Sequence, residues 1–158
     1  MGYTTEFEGK IEIEGKIEIV PALSQDLIEY INTFSDTRRM KRNVNVLKNI
    51  HNGEFGFNDN YGIEGEYFIG DNNNGIIDNN EPPKTQPGLW CDWEITEDGK
   101  YIQWNGTEKF YDAIDWMKYI INNFIGNNYN CNGVLHAQGD YSEDQWDLIV
   151  ENNKVRIE

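Results

Sequence analysis

Near the amino terminus the apolar positions alternate: Ile11, Ile13, Ile17 and Ile19 are separated by Glu12, Glu14, Lys16 and Glu18. Side chains on a strand point to opposite faces in turn, so this pattern predicts a strand with one buried face. It is carried by a tandem hexapeptide, Glu8-Gly9-Lys10-Ile11-Glu12-Ile13 followed by Glu14-Gly15-Lys16-Ile17-Glu18-Ile19. An even repeat lengthens a strand without flipping its faces; alternatively, Gly15 bends it into two. Two copies are too few for a solenoid.

Pro21 ends this strand, and Ser24 is placed to cap a helix whose apolar positions are Leu27, Ile31 and Phe34. Leu23 and Ile28 fall at the flanking staple positions. Further on, Glu66-Tyr67-Phe68-Ile69 reads as a short strand inside a Gly-, Asn- and Asp-rich region covering about 54–87. Leu89–Ile95 and Tyr101–Trp104 read as a hairpin around Glu97-Asp98-Gly99, where Asp-Gly supplies the positive φ of a tight turn. Thr107 is the expected cap of a second helix with the stripe Phe110, Ile114, Met117, Ile121 and Phe124, and Gly126 is its expected left-handed stop. Strands follow near 133–138, 145–150 and 154–157, the last two joined at Asn152-Asn153. The order β-α-β-β-β-α-β-β-β predicts an α+β fold: a mostly antiparallel sheet with two main helices on one face, forming a single domain over 1–158.

Charge sharpens this picture. Thirteen Lys and Arg against 28 Asp and Glu give −15, but residues 37–53 hold Arg38, Arg39, Lys41, Arg42 and Lys48 and no acid, so a +5 island stands in a −20 remainder. Such a chain is unsuited to long nucleic acid, because phosphate rails need a basic face. One local anion site stays compatible with it. Aromatic residues at 13% supply too much ring surface for a disordered acidic tail. No run approaches a membrane span and the first residues lack a secretory signal's pattern, so a cytoplasmic protein is expected, in the host cytoplasm if viral. Cys91 and Cys131 stand without ligand spacing and are expected as buried thiols. The abundance of Asn, as in Asn72-Asn73-Asn74, points to an A/T-rich coding genome of viral or bacterial type.

Three constellations could carry chemistry. Arg38, Arg39, Lys41 and Arg42 repel one another unless an anion or protein acids lie among them, which suggests either a phosphate clamp or internal pairing. In Gln86-Pro87-Gly88-Leu89-Trp90-Cys91-Asp92-Trp93-Glu94 the two indoles fall on opposite parities. One is expected in the core, and an exposed one beside a carboxylate could stack on a base. Glu108 and Lys109 could line the same pocket. Gly70–Glu81 matches the second half of a calcium loop, with Asp78 and Glu81 in register and Asp71 displaced by one; an ordinary Asx-rich turn is the default reading. No catalytic residues are assigned: His51 and His136 are isolated and no nucleophile, phosphate-loop or zinc motif occurs. No cofactor is expected.

Taken together, Gly2-Tyr3-Thr4-Thr5-Glu6-Phe7, Thr37–Arg42, Gln86–Trp93 and Glu108-Lys109-Phe110-Tyr111 with Trp116 and Tyr119 resemble a family of small, functionally uncharacterised bacterial and phage proteins. That resemblance implies no activity, but it implies that the second hexapeptide is an insertion. The order Trp93-Glu94, hairpin, helix, then Gly139-Asp140 is similar to the eukaryotic cap-binding translation initiation factor. By that likeness Trp93 would stack on a methylated guanine and Glu94 would bind its edge, although no Trp precedes Trp90 and His136 and Gln138 stand where phosphate-binding cations belong.

The leading expectation is a non-catalytic viral, phage or bacterial binding protein. It would hold a phosphorylated small molecule, such as a nucleotide or cap-like group, between the basic cluster and Trp90 or Trp93, with Gln86 and Glu94 nearby. The alternative is an acidic inhibitor that docks on a host protein's basic, nucleic-acid-binding surface. An enzyme acting on a phosphorylated small molecule is a third.

Overall fold

The structure is a computed structural model that describes residues 11–50, 56–107, 110–139 and 143–158. The fold is α+β and falls into two compact units, one formed by Met1–Ile31 with Asp92–Glu158 and the other by Asn32–Cys91.

The first unit is built on a six-stranded sheet in the order β4-β5-β1-β6-β7-β8, every neighbouring pair antiparallel. Its strands are β1 (Glu12–Val20), β4 (Trp93–Ile95), β5 (Tyr101–Trp104), β6 (Asn130–Gln138), β7 (Gln145–Glu151) and β8 (Lys154–Ile157). The alternation read in the sequence is realised: Ile13, Ile17 and Ile19 are buried while Glu12, Glu14, Lys16 and Glu18 are exposed. Gly15 does not split the strand. It lies opposite Leu135 in an unbroken ladder running from Glu12↔Gln138 to Val20↔Asn130. A Cβ on Gly15 would stand 2.6 Å from the Val134 carbonyl oxygen, and one on Gly133 would stand 2.6 Å from that of Lys16, so both glycines let two backbones approach.

Helix α1 (Gln25–Ser35) starts as expected, with the Leu27 N–H donating to Ser24 Oγ at 3.3 Å and Leu23 and Ile28 buried beside it. The second long helix differs from expectation at its start. Its stripe is buried at Phe110, Ile114, Met117, Ile121 and Phe124, but α3 spans Ala113–Ile120, not from Thr107, and continues as a π-helical turn over Ile121–Ile125. Asp112 adopts a left-handed conformation (φ 59°, ψ 35°), which an α-helix cannot include. Gly126 closes the π-turn with φ 61°, as its position suggested. Helix α3 packs on β4 and β8, and Tyr30 of α1 meets Phe124 edge-on at 5.3 Å. Both helices serve the face that carries Ile17, Ile102, Leu135 and Leu148, and the opposite face leaves Glu12, Glu14, Lys16, Glu18 and Val134 exposed among the described residues.

The unit Asn32–Cys91 contains the end of α1, a two-stranded antiparallel ladder of β2 (Lys41–Arg42) with β3 (Ile76–Asp78), and the short helix α2 (Val44–Lys48), which is capped by Asn43 Oδ1 accepting from the Asn45 N–H. Neither α2 nor β3 stands out in the sequence, because each is too short to show a period. The expected strand at Glu66–Ile69 is instead a turn. Gly65 (φ 78°) and Gly70 (φ 126°) bracket it, and the Phe68 N–H bonds the Gly65 carbonyl. Leu89–Cys91 likewise lies outside β4, which begins at Trp93.

Candidate functional site

The basic run is the organising feature of the 32–91 unit, and two of its four cations face inward. Arg39 and Arg42 are each 1% exposed. Their guanidinium carbons lie 4.1 Å from the Phe34 ring centroid and 3.9 Å from that of Phe68. Arginine tolerates this better than lysine, since its planar, weakly hydrated head stacks on rings while its edge donates hydrogen bonds. Arg39 donates to the Phe68 carbonyl. Arg42 Nη1 donates to the Asn74 carbonyl at 2.9 Å and to Asn72 Oδ1 at 3.3 Å. Lys41 reaches Glu81 at 2.9 Å and Glu64 at 3.7 Å, and this pairing raises its pKa, most through the hydrogen bond to Glu81.

Two sequence signals therefore answer each other. In Gly70–Glu81 the side-chain oxygen of Asn72 and the backbone carbonyl of Asn74 are taken by Arg42, and Glu81 is taken by Lys41. Asp71 is exposed, and Asp78 Oδ1 accepts from the Asn80 N–H at 2.8 Å. Among the described residues no cluster of three or more His, Cys, Asp or Glu is arranged to hold a metal. The complementarity was visible beforehand as an acid-free cationic run followed by an oxygen-rich loop. What the sequence could not show was which asparagines would serve as acceptors.

Arg38 differs from its neighbours. It is half-buried and gives Nε to the Asn79 carbonyl at 2.9 Å and Nη2 to Asn80 Oδ1 at 3.1 Å. It lines an open depression of about 600 Å³ together with Met40, Asn73, Ile76, Ile77, Asp78 and Asn79. The β2–β3 register shifts between Lys41 and Arg42, which pair with Asp78 and Ile76, so Ile77 is the bulged residue. Its side chain is 59% exposed.

The aromatic candidates separate as the parity argument required. Trp93 is fully buried, donates Nε1–H to the Ala113 carbonyl at 2.8 Å and meets Phe110 edge-on at 4.8 Å. It offers no ring face to a base, which corrects the role drawn from the cap-binding likeness. Trp90 is 43% exposed and belongs to the 32–91 unit. Gln86 is buried and donates to the Glu66 carbonyl at 2.7 Å, so it braces the loop. Glu94 lies on the face of the sheet opposite the helices and accepts from Gln103 at 2.8 Å. Glu108, Lys109 and His51 lie outside the described residues.

That face carries a mixed set of charges in which acids outnumber bases. By pleat and register, Glu12, Glu14 and Glu18 of β1 share it with Glu94, Asp147 and Glu151, against Lys16, Lys154 and Arg156. The cations are partly engaged: Lys16 sits over Tyr101 at 5.1 Å, and Arg156 pairs with Glu151 and Glu158. Across the middle run Glu14, His136 and Asp147 in one cross-strand row, with His136 Nδ1 2.6 Å from Asp147 Oδ1. Val134, 52% exposed, supplies an apolar spot in the next row. Charge is also divided unevenly between the units. Residues 32–91 hold six basic and eight acidic side chains, while the sheet unit holds seven and twenty, so −13 of the −15 belongs to the latter.

Both cysteines are buried, and burial pushes the Cys131 thiol up to about 12. No helix of the described residues is long and apolar enough to cross a membrane. Compared with protein families, curated proteins and solved structures, the chain matches none.

Proposed function

We propose that the chain is a non-catalytic binding protein that docks on a basic protein surface, of the kind that otherwise holds nucleic acid, through the face of its sheet opposite the helices. The observation that carries this is the set of exposed carboxylates along β1, Glu12, Glu14 and Glu18, on one face of the sheet. Alternate residues on a strand stand about 6.7 Å apart, so Glu12 and Glu14 stand side by side and Glu18 stands beyond Lys16, three carboxylates against one cation along the strand. It lies in a unit whose net charge is −13, a field that steers a basic partner and repels polyanions. The reading of the basic run as a phosphate clamp has lost its support from Arg39 and Arg42, which are buried, and from Lys41, which faces Glu81 and Glu64.

The test uses fluorescence anisotropy with a labelled arginine-rich peptide of the type found in nucleic-acid-binding proteins. Binding is expected to weaken with salt and to be lost in the triple variant Glu12→Lys, Glu14→Lys, Glu18→Lys. A control triple, Asp26→Lys, Glu29→Lys, Glu97→Lys, makes the same charge change at exposed positions off the face and should retain most of the affinity. Equal losses in the two triples would reduce the effect to net charge and remove the sheet face from the reading.

A further inference from the structure

The depression of the 32–91 unit combines features that the docking reading does not use. Arg38 and Asp78 line the same concavity, yet no ion pair joins them. Each is held by the loop instead: Arg38 by the Asn79 carbonyl and Asn80 Oδ1, Asp78 Oδ1 by the Asn80 N–H. Arg38 Nη1 and the second carboxylate oxygen of Asp78 make none of these bonds. Met40, Ile76 and the bulged Ile77 add apolar surface beside them, and an isoleucine 59% exposed loses water contact only if something covers it. A cation and an anion kept apart by their own tethers, next to apolar side chains, complement one class of small molecule.

We propose that this depression binds a zwitterion with an apolar side chain, a free aliphatic amino acid or a dipeptide, its carboxylate on Arg38 and its ammonium on Asp78. The carboxylate completes a charge-assisted hydrogen bond with Nη1, the ammonium donates to the open oxygen of Asp78, and the side chain lies on Met40, Ile76 and Ile77. A phosphate dianion fits less well, because Asp78 repels it. At about 600 Å³ the space exceeds one amino acid, which is why the dipeptide belongs to the proposal.

The whole chain, labelled with nitrogen-15, is titrated with leucine, methionine and leucyl-leucine while amide shifts are followed. Saturable shifts are expected at Arg38–Met40 and Ile76–Asn79. N-acetyl-leucine and leucine amide, each lacking one charge, should bind about tenfold more weakly or worse, the size expected for losing a charge-assisted bond. Asp78→Asn keeps an acceptor for Asn80 and should weaken leucine while leaving N-acetyl-leucine unchanged, a selectivity that a merely structural role would not produce. Tighter binding of the dipeptide than of leucine supports the larger occupant. The proposal is overturned if none of the zwitterions shifts these amides, if the blocked forms bind equally, or if inorganic phosphate shifts them and leucine does not.

Discussion

The guanidinium of Arg42 lies over the ring of Phe68, its central carbon 3.9 Å from the centroid, and the same group donates to Asn72 and Asn74. A charge has thereby become part of a core. Arg42→Ala should destabilise the 32–91 unit by about 3 kcal/mol, through the loss of the stack and of two bonds to the loop. Arg42→Lys should recover less than half of this, since an ammonium is more strongly hydrated and lacks the flat face. Denaturant midpoints give the size, and faster hydrogen exchange confined to 70–78 would localise it. An unchanged midpoint in Arg42→Ala would mean that the stack contributes nothing.

Gly15 of β1 and Gly133 of β6 each lie against the backbone of the neighbouring strand. Gly15→Ala places a Cβ 2.6 Å from the Val134 carbonyl oxygen at a φ of +103°, so a loss of about 2 kcal/mol or more is expected. Gly106→Ala meets nothing within 4 Å but has a φ of 90°, and should cost about 1 kcal/mol from backbone strain alone. Thermal unfolding of the two variants side by side separates close approach from strain.

The β7–β8 turn gives a sharper contrast. Asn152 and Asn153 both have positive φ, 48° and 70°. Asn153 additionally accepts from the Cys131 N–H at 2.6 Å and donates to the Tyr129 and Gly126 carbonyls at 2.8 and 3.1 Å. Asn152→Gly should leave stability within about 0.5 kcal/mol, or raise it slightly, whereas Asn153→Gly should cost about 2 kcal/mol despite relieving the same strain. Equal midpoints in the two variants would show that the side-chain bonds add nothing.

Asp92 is buried, and burial raises its carboxyl above the ordinary 3.8, opposed by hydrogen bonds from Thr107 and Asn105. The folded state therefore holds this proton more tightly than the unfolded chain. Ionised Asp92 carries a penalty that is fully present above its folded pKa and fades as pH falls through that value toward 3.8. Asp92→Asn should accordingly be more stable than the parent at neutral pH, with the difference shrinking in acid. A difference that grows in acid would reverse the assigned sign.

Alkylation should reveal the two buried thiols in sequence with unfolding. With its pKa near 12, Cys131 is almost entirely protonated at neutral pH, and Cys91 is fully buried. Iodoacetamide is expected to leave the native chain unlabelled and to modify both cysteines in denaturant. Fast native labelling at Cys131 would show that the β1–β6 region opens readily.

The sheet was largely legible because its strands alternate cleanly: Ile11 to Ile19 announced β1, and Asp98-Gly99 and Asn152-Asn153 announced two turns. The second helix was legible as a stripe but not at its start, since a left-handed Asp112 depends on tertiary contacts that no local propensity reveals. The 32–91 unit was the hardest to read. Its interior is made of guanidinium groups, rings and loop carbonyls, so it lacks the apolar periodicity on which sequence reading depends. For the same reason the basic cluster suggested an external anion, when two of its members serve as interior cations.

Arg42 has one more consequence. A loop closed by a dissolved metal opens when the metal is diluted or chelated, so its shape reports the surrounding ion. Here the cation is a side chain of β2, the strand paired with the loop's own β3, and its local concentration never falls. The Gly70–Glu81 segment is thus held by a cation of the chain itself: calcium and chelators alike should leave its conformation unmoved.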